Sequence, residues 1–363
     1  MDRLKIGIMT SAFSQNGLLG GITKTVRLIA RYMTKKGHDV TVFTFRFPGT
    51  TSIEYLDGFT VRRFKYMEIL GEWCYSKEMY DCVRNQAFDL IHSFHYGYYP
   101  ATVGYKTAKK QKLPHLFSTS YHPFHSTKTK SLLAYLYRKT QGEVILKNSA
   151  VVLPQNITER NELFRVVKRK YEILPIPIDQ EIFHPYKVKK TKNKVALYVG
   201  GMVKNKADIA FKICENIENT CKDVRFVFIG NGHILGELKK RASKNFIFLK
   251  NLTDKELALQ YNKADILLHP TQYESFSRVI AEACMCGLPS VSVNAGAVSE
   301  TQLGSGRLVK WGAWDMMENE VLNLIRDDKE RKRLSKVGMK KSKKYHSSVV
   351  NDKLYKIYKR LLA

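Results

Sequence analysis

The chain has 363 residues, 44% of them hydrophobic, enough for two globular domains of ~100–200 residues each. Lysine and arginine number 61 against 33 acids, a net charge of +28, which suits an anionic membrane surface; no recognised nucleic-acid motif accompanies it, so nucleic acid is not an expected partner. No apolar run reaches the roughly 18 residues of a membrane span and the first residues lack a leader pattern, so a soluble, cytoplasmic protein is expected.

The predicted elements alternate. An apolar run at Leu4–Met9 is followed by a helix over Thr23–Lys36 and a strand at Val40–Thr44, the grammar of a parallel sheet. Phe88-Asp89-Leu90-Ile91-His92 continues the strands. A charged, apolar-poor stretch at 185–194 reads as a linker, and the strand–helix pattern restarts at Lys194–Val199. The expected division is therefore a first domain over 1–184, a second over 195–345 and a terminal helix over 346–363. Leu354, Ile357, Tyr358 and Leu361 stand at helical spacing in that last segment, so it can cross back to the first domain. Both domains are expected to be doubly wound α/β sheets, which bind ligands beyond the carboxyl ends of their strands, here in a cleft between facing domains. The six cysteines, at 74, 82, 214, 221, 284 and 286, include no Cys-x-x-Cys, so neither a zinc site nor a disulfide framework is expected. A Gly-x-Gly-x-x-Gly is missing after the first strand, which argues against a dinucleotide oxidoreductase.

The most informative segment runs from Tyr273 to Pro289. Glu274 and Glu282 stand eight apart after the apolar strand Ala264–Pro270, and Gly287-Leu288-Pro289 supplies a stop signal for the helix between. A helix over 276–286 places Glu282 roughly 9 Å along its axis from Phe276. One carboxylate can then meet a sugar and the other a ribose, while backbone N–H groups of Phe276, Ser277 and Arg278 face a diphosphate.

This segment resembles the Glu-x7-Glu signature of the family-4 retaining glycosyltransferases. Further matches follow in the same order: Gly20-Gly21 before the first helix, Gly37-His38-Asp39-Val40 after it, the Asp89–His92 strand, Ile173-Leu174-Pro175 with Ile178-Asp179 and Phe183-x-Pro185, Tyr198-Val199-Gly200, Lys206, and Phe228-Ile229-Gly230-Asn231-Gly232. The resemblance implies the GT-B fold and a hexosyltransferase that uses a nucleotide-diphosphate sugar, UDP or GDP, with retention. It implies donor-binding roles for Gly20, Gly21, Gly200, Lys206, Glu274, Phe276, Ser277, Arg278 and Glu282, and catalytic roles for His122, Glu274 and Lys206. His122 follows the strand before Pro123 and matches the family histidine beside the transferring sugar. His92 and His95 are expected to pack, and His115 and His125 to lie on the surface or in loops.

No Asp-x-Asp occurs in the chain, so no metal cofactor is expected and the leaving diphosphate must be stabilised by Lys206 and oriented N–H groups. Departures from the family pattern are specific. Gly201 stands where an arginine is common, Ala207 replaces a glycine, Ser275 and Ser277 replace the two glycines of Glu-Gly-Phe-Gly, and Pro175-Ile176-Pro177 replaces Pro-Asn-Gly. Lys204 or Arg278 is a candidate for the missing second cation. The alternative that these departures raise is a non-catalytic GT-B subunit that binds or scaffolds a partner transferase.

Charge also marks an acceptor side. Residues 101–150 carry nine basic residues and one acid, Glu143. Leu132, Leu133, Leu136 and Tyr137 at helical spacing, flanked by Lys128, Lys130, Arg138 and Lys139, form a basic amphipathic segment suited to an anionic membrane surface; a helix packing its leucines on the core is the other reading. The resemblance favours a lipid-linked or glycan acceptor.

Overall fold

The computed structural model describes residues 3–13, 20–70, 73–122 and 128–363, with the backbone alone at 70, 73 and 128–131. The chain divides into two units, Met1–Pro177 with Ser347–Ala363, and Ile178–His346.

In the first unit the elements run β1 (Lys5–Met9), α1 (Gly21–Lys35), β2 (Asp39–Phe45), β3 (Ile53–Leu56), β4 (Phe59–Phe64), β5 (Met67–Leu70), β6 (Trp73–Tyr75), α2 (Lys77–Arg84), β7 (Leu90–Phe94), α3 (Tyr99–Gln111), β8 (His115–Ser118), α4 (Lys128–Tyr137), a π-helical turn (Arg138–Gly142), α5 (Glu143–Asn148), β9 (Val151–Leu153) and α6 (Ile157–Val166). The sheet order is β3-β4-β2-β1-β7-β8-β9, parallel except for the edge strand β3. Strands β7 and β8 are buried along their whole length, as unbroken apolar runs covered on both faces should be.

The second unit contains β10 (Lys194–Val199), α7 (Ala207–Thr220), β11 (Val224–Ile229), α8 (Leu235–Arg241), β12 (Phe246–Leu249), α9 (Asp254–Lys263), β13 (Ile266–His269), α10 (Arg278–Met285), β14 (Ser290–Val293), α11 (Val298–Gln302), β15 (Gly306–Val309), α12 (Trp314–Arg326) and α13 (Asp328–Ser342). Its six strands are all parallel, ordered β12-β11-β10-β13-β14-β15. The order reverses between β10 and β13, so the loops leaving these two strands diverge and open a crevice beyond their carboxyl ends. Lys206 ends one of those loops and Glu274 lies in the other.

Helix α14 (Ser347–Leu362) returns to the first unit. Val350, Leu354, Ile357 and Tyr358 join Val26, Ile29 and Met33 of α1 in one buried cluster. The Asn351 amide donates to the Leu28 carbonyl, and the Tyr358 hydroxyl meets His92 Nδ1 at 2.7 Å.

The unit boundary differs from the expected linker. Residues 185–194 belong to the second unit, where the Tyr186 N–H donates to Asn262 Oδ1 at 2.7 Å and Lys190 Nζ donates to the Ala264 carbonyl at 2.6 Å. The segment is polar because its groups bind α9 and the strand after it. The division falls instead at Pro177, where the Ile178 N–H bonds the Tyr345 carbonyl and draws the chain into the second unit.

Candidate active site

Glu274 is held by three side chains that its own strand and the neighbouring strand deliver. Its Oε1 accepts from the Thr271 hydroxyl at 3.0 Å and lies 3.5 Å from Lys206 Nζ and 3.6 Å from His269 Nε2. Burial pushes its pKa up, but the contacts with His269, the Lys206 charge and the Thr271 hydroxyl outweigh burial and hold the carboxyl at about 2. The carboxylate is therefore ionised throughout the neutral range. Its backbone is fixed from behind, because the Ala297 N–H donates to the Glu274 carbonyl at 2.8 Å and Gly296 sits so close that a Cβ there would lie 2.3 Å from that oxygen.

The helix after it starts later than the spacing predicts. Ser277 caps α10 with φ +67°, a left-handed conformation that cannot continue a helix, so the first helical residue is Arg278 and not Phe276. Of the two serines in glycine positions, Ser277 is the one among the residues with positive φ. The strain is offset by a buried contact of 3.1 Å between Ser277 Oγ and His269 Nε2. Phe276 is buried edge-on against Tyr345, and its carbonyl accepts from the Thr301 hydroxyl.

Glu282 is buried one turn further on. Its Oε1 accepts from Arg278 Nε at 2.9 Å and its Oε2 from the Tyr261 hydroxyl at 3.1 Å. Arg278 thus stands at the helix start with its guanidinium on Glu282, and Lys204 is exposed in the β10–α7 loop. Gly201 is also exposed there, and its carbonyl accepts from the Tyr198 hydroxyl at 2.9 Å. Gly200 packs against Gly230, where a Cβ would sit 1.9 Å from the Gly200 carbonyl oxygen. This close approach accounts for Gly230, and the Met202 carbonyl, 2.3 Å from where a Cβ would stand, accounts for Gly232.

In the first unit, Gly20 caps α1 at φ +81° and Gly21 is its first residue; both are exposed at the carboxyl end of β1. His122 is exposed beyond the carboxyl end of β8. His92 is fully buried between the Tyr358 and Ser118 hydroxyls, and burial pushes its pKa down to about 3. His115 is a correction: it is buried in β8 between the Ser149 and Ser93 hydroxyls, because a strand in the middle of a parallel sheet has no solvent face. His95 contacts Ser11 Oγ at 2.8 Å with φ +69°. His125 lies outside the described residues. Among the described residues no group of three His, Cys, Asp or Glu side chains is placed to hold a metal ion.

The basic amphipathic segment keeps apolar groups in solvent. Leu132, Tyr135 and Leu136 of α4 are exposed, while Leu133 and Tyr137 are partly buried, Tyr137 against Tyr96. Lys139 Nζ lies 3.0 Å and Arg138 Nε 4.0 Å from Glu143, which therefore neutralises part of the cationic face. The side chains of Lys128 and Lys130 lie outside the described residues.

Two family comparisons cover most of the chain: the Glycosyltransferase Family 4 model matches residues 19–182 and the Glycosyl transferases group 1 model residues 179–341. The chain belongs to the family-4 glycosyltransferases. An uncharacterized glycosyltransferase of Methanocaldococcus jannaschii is 23% identical over 288 residues, 77% of each chain. The alpha-monoglucosyldiacylglycerol synthase of Acholeplasma laidlawii is 23% identical over 322 residues, covering 79% of this chain and 80% of that one. The Anabaena protein HepE, solved in complex with UDP-glucose, superposes with a TM-score of 0.73 at 16% identity, covering 99% of this chain and 100% of that one. The two Rossmann-like units are those of the GT-B fold.

For this glycosyltransferase, sequence patterning missed three members of the Glu274 cluster. His269 and Thr271 flank Pro270 at the end of the β13 strand and were available as a polar interruption of an apolar run. Gly296 carried no motif; its role follows from a φ of +59° and from what lies behind it.

Proposed function

We propose that this chain is a retaining, metal-independent hexosyltransferase that takes a sugar from a UDP- or GDP-linked donor and passes it to a lipid-linked or glycan acceptor. The observation that carries this reading is the juxtaposition of Lys206 and Glu274 at the strand-order reversal of the second sheet. A cation there can stabilise the departing diphosphate, and an ionised carboxylate beside it can accept from sugar hydroxyls. The start of α10, with Arg278 as its first residue, adds oriented N–H groups for the phosphates. Glu282 is proposed to meet the ribose and His122 the transferring sugar, with Gly20, Gly21 and Gly200 admitting the donor backbone-close. The lack of Asp-x-Asp supports a donor site that needs no metal.

HepE binds UDP-glucose and the Acholeplasma relative is named for a glycolipid product, which supports a UDP-hexose donor and a lipid acceptor here. Exposed Leu132, Tyr135 and Leu136 beside basic residues support contact with an anionic membrane surface. Among the described residues no helix is long and apolar enough to cross a membrane, so such contact would be peripheral. The test is nucleoside-diphosphate release from UDP-glucose, with and without diacylglycerol or glucolipid vesicles and with EDTA present. Vesicle-dependent release that survives EDTA is expected; release that requires added metal would overturn the metal-independent part.

A further inference from the structure

The segment that leads to His122 is strained and clamped. Ser120 has φ +44°, a left-handed conformation that L-residues adopt only when their surroundings impose it. Its neighbours on both sides are bound by one carboxylate: Glu159 Oε1 accepts from the Thr119 hydroxyl at 2.5 Å and from the Tyr121 N–H at 2.6 Å. Glu159 Oε2 accepts from the Gln155 N–H at 2.7 Å, and the Gln155 side chain in turn donates to Ser120 Oγ at 2.5 Å. Glu159 is 1% exposed, in the first turn of α6, with its own N–H capped by Asn156 Oδ1. Three donors therefore converge on two oxygens of a buried acid.

We propose that Glu159 is a positioning residue for the transfer reaction, its ionised carboxylate holding Thr119–Tyr121 in the conformation that presents His122. The inference rests on the sugar-side role given to His122 above. A neutral carboxyl turns one oxygen into a donor and a weaker acceptor, and the Tyr121 or Gln155 N–H that faces that oxygen is then held less firmly. Burial pushes the Glu159 pKa up, partly opposed by its hydrogen bonds, to about 7. The groups facing it are the Thr119 hydroxyl and the Tyr121 and Gln155 amides; Arg138 of the π-helical turn and Glu162 of α6 itself act on the Tyr121 phenol. An ionisable clamp in this position makes the loop responsive to pH near neutrality.

The experiment compares wild type and Glu159→Gln in UDP-glucose turnover across neutral pH, together with UDP affinity by calorimetry and the thermal midpoint. The wild-type kcat should rise as pH passes about 7, while Glu159→Gln should lose that rise and fall roughly ten- to a hundredfold, with UDP affinity in the second unit unchanged. A variant with wild-type kcat and an intact pH limb would overturn the proposal. Hydrogen exchange of the Tyr121 amide in wild type decides independently of turnover and of the variant's folding. Its protection, corrected for intrinsic rate, should drop severalfold below neutrality; constant protection would also overturn the clamp. If wild type turns over no sugar nucleotide, the transferase reading fails, while the amide measurement still tests the clamp.

Discussion

Lys206 Nζ and Glu274 Oε1 lie 3.5 Å apart although 68 residues separate them in sequence. Strands β10 and β13 are neighbours in the sheet, which sets Lys206 and Glu274 on the two walls of one crevice, and the pair joins a cation to an acid that is ionised at neutral pH. A donor diphosphate needs the first and a sugar hydroxyl the second. Lys206→Ala should weaken UDP binding by ~1.5–3 kcal/mol, the loss of a charge-assisted contact, as measured by calorimetry. Unchanged affinity would remove Lys206 from the donor site.

The acid limb of stability should report Glu274. Its folded pKa, about 2, lies below its ordinary value of 4.5, so its contribution is present above the unfolded value and is lost as pH falls toward 2. The integrated effect is up to about 3 kcal/mol. The difference in thermal midpoint between wild type and Glu274→Gln should shrink as pH is lowered through that window. A difference independent of pH would contradict the geometry around Oε1.

Substitutions at Ser277 separate strain from hydrogen bonding. Ser277→Ala keeps the positive φ and loses the His269 contact, whereas Ser277→Gly loses the contact but relieves ~1–2 kcal/mol of left-handed strain. The glycine variant should therefore be more stable than the alanine variant by about 1 kcal/mol in denaturant unfolding. Equal stabilities would mean that the segment relaxes away from the left-handed cap.

Glu282 and Arg278 should behave as a unit. Glu282→Ala removes the proposed ribose ligand and also the carboxylate that the Arg278 guanidinium, only 12% exposed, donates to, a loss of ~3–5 kcal/mol when a buried pair is broken. Glu282→Ala combined with Arg278→Met should recover much of that stability while nucleotide affinity stays low. Recovery of affinity along with stability would show that Glu282 acts on the fold alone.

Much of this arrangement was legible in the sequence because parallel strands are short apolar runs and the loops after them carry glycines and acids at fixed spacing. Glu274 and the terminal helix could be placed that way, and Lys206 only through the family resemblance. What could not be read were properties created by packing. The charged stretch at 185–194 resembles a linker until its partners on α9 are visible, and His115 resembles a loop histidine until β8 is seen in mid-sheet. The start of α10 moved by two residues because a left-handed serine is silent in sequence. Glu159 looks like an ordinary first-turn acid; only the convergence of Thr119, Tyr121 and Gln155 distinguishes it.

The most direct test of the account is calorimetric titration of the purified protein with UDP, GDP and ADP and their hexose conjugates in EDTA. Saturable binding of a UDP or GDP ligand without metal, lost in Lys206→Ala, is predicted. A folded protein that binds none of them, or binds equally well without Lys206, would contradict the donor site and favour a scaffolding subunit.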